Sequence, residues 1–139
     1  MTAFHRTWLN LWLLLVIGFG LILAGAALPA TEAPVRLFYA LVGAPLPSPL
    51  GAELRFTLAL LGAVTLGWAL TIHAAFQAAF ALRTDAAATW RRITFAILAW
   101  YVIDSALSVA LGVPLNAVSN TVLLVAYLLP ILRSRALQR

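Results

Sequence analysis

One acidic residue, Asp104, lies within an apolar stretch of the chain, and polar side chains recur around it with helical spacing. The positions i, i+3, i+4 and i+7 of this stretch are Tyr101, Asp104, Ser105 and Ser108. Such spacing places them on one face of a helix. A carboxylate inside a membrane helix costs roughly 2.5 to 3.5 kcal/mol even on the lenient insertion scale, and it normally faces the interior of a bundle. This face therefore predicts a buried polar contact or a binding site.

The next apolar stretch carries a matching polar set, which comprises Asn116, Ser119, Asn120 and Tyr127. A short turn around Gly112 joins the two stretches, so their adjoining ends meet. We expect Asp104 to face inward and to approach Ser119 or Asn120, with Asn116 and Arg55 as further possible partners. The two facing sets together are called the polar seam.

Two interpretations of the polar seam remain open from the sequence. Interhelical hydrogen bonds, at roughly 0.6 kcal/mol each and 1.7 at most, would hold the hairpin together. Alternatively, the seam is a pocket for a polar head group, a quinone or a proton. Asp104 favours the pocket, because an asparagine would join the helices at a lower desolvation cost.

Two charged residues begin the second apolar stretch. Glu53 suits a helix N-terminus, where negative charge is favourable. Arg55 either extends into solvent or turns towards Asp104, in which case the pair would close the outer end of a cavity. We therefore place Glu53 and Arg55 at the mouth of the candidate site.

A histidine lies within the same stretch. His73 and Gln77 are four residues apart and share a helix face. A single histidine there would pack through a hydrogen bond, bind a haem or chlorin, or relay a proton. His5 is the only other histidine, which argues against two-histidine haem ligation. The chain has no cysteine, metal-ligand spacing, phosphate loop or nucleophile motif, so no cofactor is predicted.

The elements that must position these residues are four long apolar segments. The chain is 64% hydrophobic and 9% charged. Segments of 17 or more apolar residues match helices that cross about 30 Å of hydrocarbon. The prediction is an all-α, integral membrane four-helix bundle that forms a single transmembrane domain over residues 1–139. Its helices cover about residues 8–28, 54–82, 91–111 and 116–132, with a short interfacial helix between the first two.

Arginine placement orients these helices. Seven arginines flank the presumed cytoplasmic ends, namely Arg6, Arg83, Arg91, Arg92, Arg133, Arg135 and Arg139, whereas the other connections carry only Arg36 and Arg55. This bias predicts that both termini lie in the cytoplasm. The absence of lysine and the abundance of arginine and alanine indicate a GC-rich bacterial genome, so the expected location is a bacterial inner membrane. The net charge is +5, and the basic residues form no continuous stripe along the chain. This distribution argues against nucleic acid as a partner and favours lipid head groups.

Several local features refine this prediction. Trp8 and Trp12 near the start of the first helix suit a membrane-interface belt. Residues 35–42 are expected to lie flat at the interface, with Arg36 and Tyr39 reaching head groups. Asp85 is expected to cap the third spanning helix. Small residues at i and i+4 predict close helix approach or a homo-oligomer, and these pairs are Gly20 with Ala24 and Ala59 with Ala63.

One segment resembles a known family. The motifs are Ala52-Glu53-Leu54-Arg55-Phe56 and Leu61-Gly62-Ala63-Val64-Thr65-Leu66-Gly67-Trp68. They are similar to the start and glycine-spaced continuation of the second helix in small DoxX-like bacterial membrane proteins. The resemblance implies a four-helix bundle and, for some members, a role as membrane partner of oxidoreductases that act on quinones. It carries over no catalytic residues.

Three functions remain as hypotheses. The first is a non-enzymatic accessory subunit or small-lipophile-binding protein, with Tyr101, Asp104, Ser108, Asn116 and Asn120 as its binding residues. The second is an enzyme that acts on a lipid or quinone with Asp104 or His73 as acid–base. The third is a small oligomeric proton-coupled carrier. Expected partners are membrane lipids, a quinone or other lipophile, and a larger membrane complex or a second copy of the chain.

Overall fold

The computed structural model describes residues 1–82 and 85–138, and all regular structure within them is helical. Arg83 and Arg139, two of the arginines assigned to the cytoplasmic side, lie outside the described residues, as does Thr84. The helices are α1 (Ala3–Ala24), α2 (Ala33–Leu41), α3 (Ala52–Ala81), α4 (Ala86–Ala110) and α5 (Pro114–Arg133), with 3₁₀ turns at Gly25–Ala27 and Pro29–Thr31.

Four of these helices, α1, α3, α4 and α5, are long and apolar enough to cross a membrane. The predicted all-α class with four spans is therefore confirmed, and the chain is a multi-pass membrane protein. The short α2 lies between the first two spans, where the interfacial helix was predicted. At 30 residues, α3 is about 45 Å long, which exceeds the hydrocarbon thickness.

Local capping explains where the helices begin. α1 starts at Ala3, ahead of the predicted residue 8, because Thr2 Oγ1 accepts a hydrogen bond from the His5 backbone N–H at 3.4 Å. α5 begins with Pro114, whose missing N–H costs nothing at the first helical position. The expected Asp85 cap of α4 is wrong in one respect. Asp85 occupies the N-cap position with φ of 60°, but its side chain makes no capping bond.

The chain divides into two compact units. The first comprises Met1–Leu13 and the described residues from Thr71 onward. Its core is aromatic: the rings of Phe76 and Tyr127 stack at 6.2 Å, and Trp12 lies 5.5 Å from Tyr127. Trp12 is only 2% exposed and donates its indole N–H to Leu123 O at 2.9 Å. The interface-belt assignment of Trp12 is therefore wrong, because a buried indole with a hydrogen-bond partner is a core residue.

The Trp8 side chain supplies a hydrogen bond that the backbone of α5 lacks. Pro130 lies inside this helix and has no N–H, so Ala126 O lacks its usual donor four residues on. The Trp8 indole N–H donates to Ala126 O at 2.8 Å. A proline is thus accommodated in a membrane helix by a neighbouring side chain that satisfies the freed carbonyl.

This geometry makes a double-mutant prediction. Trp8→Phe leaves Ala126 O without a donor and should destabilise the protein by about 1 to 2 kcal/mol. Pro130→Ala restores a backbone N–H, so Trp8→Phe should cost distinctly less in that background. Thermal unfolding of the four proteins in detergent gives the coupling energy. Equal costs of Trp8→Phe in both backgrounds would contradict the assignment.

The second unit comprises Leu14–Leu70. Its core consists of Leu23, Ala26, Val35, Leu50 and Leu58. α1 and α3 approach each other closely at two glycines in this unit. A Cβ on Gly62 would lie 2.7 Å from Gly20 O, and a Cβ on Gly20 would lie 2.9 Å from Leu66 Cγ. The close approach therefore depends on residues without side chains.

The interfacial helix α2 is bound to the second unit more firmly than predicted. Val35 is fully buried, Tyr39 packs against the core, and the Phe38 ring lies 4.7 Å from that of Phe19. Leu37 is 62% exposed. The Tyr39 ring is half-buried and packs against the core of this unit, while its contact with head groups stays a prediction.

Candidate functional site

A tight turn brings the polar faces of α4 and α5 together. Gly112 has φ of +78°, a conformation that side-chain-bearing residues rarely adopt. The Val113 N–H donates back to Ser108 O at 2.8 Å, which closes the end of α4, and Pro114 then starts α5. Asn116 consequently lies beside the last turns of α4.

The centre of the polar seam is a cluster of three side chains. The Asn116 Nδ2 group donates to Asp104 Oδ1 at 3.0 Å and to Ser108 Oγ at 2.8 Å. The Ser108 hydroxyl lies 2.7 Å from the Asp104 backbone carbonyl and 3.1 Å from Asp104 Oδ1. Asp104 therefore has a partner from the predicted set, and both Asn116 amide hydrogens are used.

Further polar contacts continue the seam between α4 and α5. Tyr101 OH lies 3.1 Å from Thr121 Oγ1, and Asn120 Nδ2 lies 3.5 Å from Ser105 Oγ. Asn120 is 5% exposed, so even this long contact is shielded from lipid. The side chains of one face thus pair in register with those of the facing helix.

Two residues that were assigned to the polar seam, Ser119 and Tyr127, do not contact the Asp104 cluster. Ser119 Oγ donates to Leu115 O, four residues earlier in its own helix, because a serine hydroxyl readily bonds the preceding turn. Tyr127 is fully buried, and its hydroxyl lies 2.9 Å from Thr94 Oγ1. The expectation that Asp104 would approach Ser119 or Asn120 is wrong, since Asn116 is the residue that meets it.

The Asp104 carboxylate is oriented by its neighbours. Ser108 and Asn116 both lie against Oδ1, while Oδ2 has no hydrogen-bond donor among residues 1–82 and 85–138. The residue is half-buried. An oriented carboxylate with one oxygen unoccupied can accept a hydrogen bond from a hydroxyl, amide or ammonium group.

A second polar cluster lies in the other unit and centres on Glu32. Its two carboxylate oxygens accept from different arginines, Oε1 from Arg36 Nε and Oε2 from Arg55 Nη2, both at 2.6 Å. Arg55 also donates to Ala26 O at 2.6 Å, and Arg36 donates to Pro47 O at 2.9 Å. The three charged side chains therefore connect α2 and the proline-containing loop to the start of α3.

These contacts correct the predictions for both arginines. Arg55 does not pair with Asp104, because Glu32 and Ala26 O occupy its guanidinium. Arg36 does not reach for head groups, because Glu32 lies one helical turn before it and accepts its Nε–H. Glu53 is exposed in the first turn of α3, as its predicted helix N-terminal position requires. The partners of Arg55 are therefore Glu32 and Ala26 O, and Glu53 is an exposed residue at the N-terminus of α3.

The ion pairs act on the titration of Glu32. The hydrogen bond from Arg36, followed by that from Arg55, lowers the pKa of the Glu32 carboxyl below its usual value of 4.5. The carboxylate therefore stays ionised at neutral pH. Glu32 has one sequence signal, its spacing of four residues from Arg36, which favours an ion pair within a helical turn.

His73 lies apart from the Asp104 cluster. It is exposed on α3, as is Gln77 one turn later, and neither side chain has a hydrogen-bond partner in the described parts of the chain. The hydrogen-bonded packing expected for His73 is thus not formed within the described chain. Among residues 1–82 and 85–138, no carboxylate bonds to this histidine in a way that would orient it as an acid or base.

Two cavities lie elsewhere in the described chain. The larger, of about 170 Å³, is lined by residues near helix ends that include Arg6, Phe80, Trp90 and Ser134. Ligand pockets usually enclose about 300 to 1,000 Å³. Asp104 does not line this cavity, so the cavity and the Asp104 cluster are separate features.

Comparisons with known proteins identify no relative of the chain. No protein family matches the chain, and neither a curated protein nor a solved structure is similar to it. The class defined by the fold is therefore that of a multi-pass α-helical membrane protein with an interhelical polar seam.

Proposed function

We propose that the protein is a non-enzymatic accessory or small-lipophile-binding subunit of a bacterial inner membrane, and that Asp104 is its central contact. The observation that carries this proposal is the orientation of the carboxylate. Ser108 and Asn116 occupy Oδ1 and leave Oδ2 for another donor. A charged side chain within a span is costly, and such residues mark functional contacts by default.

The chemical class of the bound molecule follows from Asp104 Oδ2, which is a hydrogen-bond acceptor. Asp104 Oδ2 fits a hydroxyl, amide or ammonium group that enters from the lipid or from a neighbouring transmembrane helix. A quinol hydroxyl, a lipid head group and a polar residue of a partner subunit all supply such a donor. The resemblance to DoxX-like proteins, some of which partner oxidoreductases, supports the same role.

A binding role is favoured over catalysis by the arrangement of the titratable groups. Asp104 bonds only to Ser108 and Asn116 among the described residues, and His73 lies exposed without a partner. An acid–base pair needs two such groups within reach of one reacting atom. The side chains at the seam instead suit recognition of a hydrogen-bond donor.

Purification in mild detergent tests this function. Native mass spectrometry of the wild-type protein should detect a bound lipophile with a hydroxyl or amine group, or a co-purifying membrane subunit. Extraction and mass analysis of the bound molecule would identify its chemical class. A protein that retains neither, even when transferred directly from native membranes to lipid nanodiscs, would contradict the proposed role.

Orientation in the membrane is a separate expectation. The arginine bias places the loop that contains Ser48 in the periplasm and the C-terminal end in the cytoplasm. Both Ser48 and Gln138 are exposed, and the chain has no cysteine of its own. An impermeant thiol reagent on intact spheroplasts should therefore label Ser48→Cys and spare Gln138→Cys. The opposite labelling pattern would reverse the topology.

A further inference from the structure

The cavity of about 170 Å³ lies in the first unit, where the spanning helices end on one side. Its walls come from the start of α1, the end of α3, the start of α4 and the residues that follow α5, and they include Arg6, Phe80, Ala86, Trp90, Ser134 and Ala136. A spanning helix ends at the level of the lipid head groups. The cavity, called the Arg6 cavity below, is therefore at the depth of phosphate groups rather than of acyl chains.

Aromatic rings hold the Arg6 side chain in this cavity. The Arg6 guanidinium lies over the Phe80 ring, 4.9 Å from its centre. The Trp90 ring packs against Phe80 at 5.4 Å, and Trp90 is only 2% exposed. A guanidinium that stacks on a ring keeps the N–H groups at its edge available for a carboxylate or phosphate. The stacking thus orients Arg6 without occupying its hydrogen-bond donors.

Most of the Arg6 donors have no partner among the described residues. A guanidinium carries five N–H groups. Within residues 1–82 and 85–138, the Arg6 guanidinium donates only from Nη2, to Phe80 O at 3.4 Å. Arg6 also forms no ion pair in this part of the chain, because both ion pairs found there belong to Glu32. Since the guanidinium fork matches phosphate oxygens in geometry, Arg6 offers a charged contact to such a group.

The wall that follows α5 is fixed to the rest of the unit. Arg91 Nη1 donates to Leu137 O at 3.1 Å, which ties this segment to α4. The Ala136 N–H donates to Ile131 O at 3.2 Å, and Ala136 is buried. Packed structure therefore forms this side of the Arg6 cavity.

The charge around the Arg6 cavity is positive. Arg91, Arg133 and Arg135 each adjoin a lining residue in the sequence. Of the four acidic residues of the chain, only Asp85 adjoins a described lining residue. This surplus of positive charge favours an anion over a cation.

We propose that the Arg6 cavity binds a phosphate group through the Arg6 guanidinium. A lipid head group or a free phosphate ion supplies this chemistry. The cavity is smaller than the roughly 300 to 1,000 Å³ of a pocket for a whole ligand, so the rest of a lipid would lie outside it. Asp104 follows Trp90 by 14 residues on α4, about 21 Å along the helix. The phosphate site is thus independent of the molecule proposed for Asp104.

Titration of the detergent-solubilised protein with short-chain phosphatidylglycerol tests a lipid source, with native mass spectrometry as the measure of binding. Arg6→Gln should weaken the affinity about tenfold, on the scale of one hydrogen-bonded charge pair. Arg92→Gln is the matched control, because Arg92 is exposed on α4 and does not line the cavity. It loses the same charge and should change the affinity far less, since a charge outside the site is screened.

Inorganic phosphate, compared with chloride at equal ionic strength, tests a free ion as the source. In that case phosphate should raise the melting temperature of wild type and Arg92→Gln but not of Arg6→Gln. Ala86→Leu keeps Arg6 and fills the cavity, so it should bind either probe at least about tenfold more weakly while its melting temperature without ligand does not fall. Equal effects of Arg6→Gln and Arg92→Gln with both probes would overturn the proposal, as would wild-type binding by Ala86→Leu.

Discussion

Replacing Gly62 with alanine is expected to destabilise the protein by about 2 to 3 kcal/mol, the largest stability change that we predict for a single methyl group. The new Cβ would lie 2.7 Å from both Ala24 Cα and Gly20 O and would also collide with Ala24 N. These are backbone atoms of α1, which cannot rotate aside as a side chain can. Relief would require the two helices to separate.

Gly67→Ala supplies the control on the same helix. Apart from the backbone of α3 itself, a Cβ on Gly67 would meet no atom of the described residues within 4 Å. The higher helix propensity of alanine should leave stability unchanged or raise it by up to about 1 kcal/mol. Chemical or thermal unfolding in detergent measures both variants. Similar effects of the two substitutions would show that the close approach of α1 and α3 does not depend on Gly62.

The small residues show how far sequence spacing predicts packing. Gly20 and Ala24 were expected on a close-contact face, and both lie against Gly62. Ala63, assigned to the contact face of α3, is instead exposed. The sequence indicates which residues are small enough for close approach. The rotation of α3 that selects Gly62 over Ala63 depends on the packing of the whole unit.

Glu32→Gln is expected to produce the second large effect, a marked fall in melting temperature at neutral pH. The substitution removes the charge that lies between Arg36 and Arg55 and leaves two guanidinium groups close together without a counter-ion. α2 and the loop that contains Pro47 should then separate more easily from α3. Glu53→Gln is the matched control, because this carboxylate is exposed in the first turn of α3.

The effect of Glu32→Gln on the melting temperature should depend on pH in a defined direction. Because the arginines lower the pKa of Glu32, its ionised form stabilises the fold above its usual pKa of 4.5. That stability is lost as the pH falls through the depressed folded-state value. The difference in melting temperature between wild type and Glu32→Gln should therefore shrink below pH 4.5. A constant difference across this range, or an equal loss in Glu53→Gln, would contradict the role of Glu32.

The spanning helices could be predicted because hydropathy is a property of the local sequence. Their ends depended on specific contacts: the Thr2 cap moved the start of α1 earlier, and Pro114 fixed the start of α5. Trp12 was misassigned because an indole suits both a membrane interface and a core. Only the position of Leu123 O shows that it is buried with a partner.

The two polar clusters differ in how much the sequence reveals. Asp104 and Asn116 flank a tight turn, so their proximity follows from helical spacing and chain connectivity. Arg55 was expected either in solvent or beside Asp104. Its actual partner, Glu32, is 23 residues away along a connection of irregular geometry, which spacing rules do not describe. Long-range ion pairs of this kind require the tertiary fold.

The most direct test of the proposed function is the amount of lipophile or partner subunit that co-purifies with Asp104→Asn. The amide still hydrogen-bonds within the hairpin and removes a charge from the span, so the melting temperature should stay within a few degrees of wild type. Glu53→Gln is the control for the same chemical change at an exposed site. The account predicts that Asp104→Asn loses the co-purifying molecule while Glu53→Gln retains it. Equal amounts bound to Asp104→Asn and wild type would show that the polar seam only joins α4 to α5.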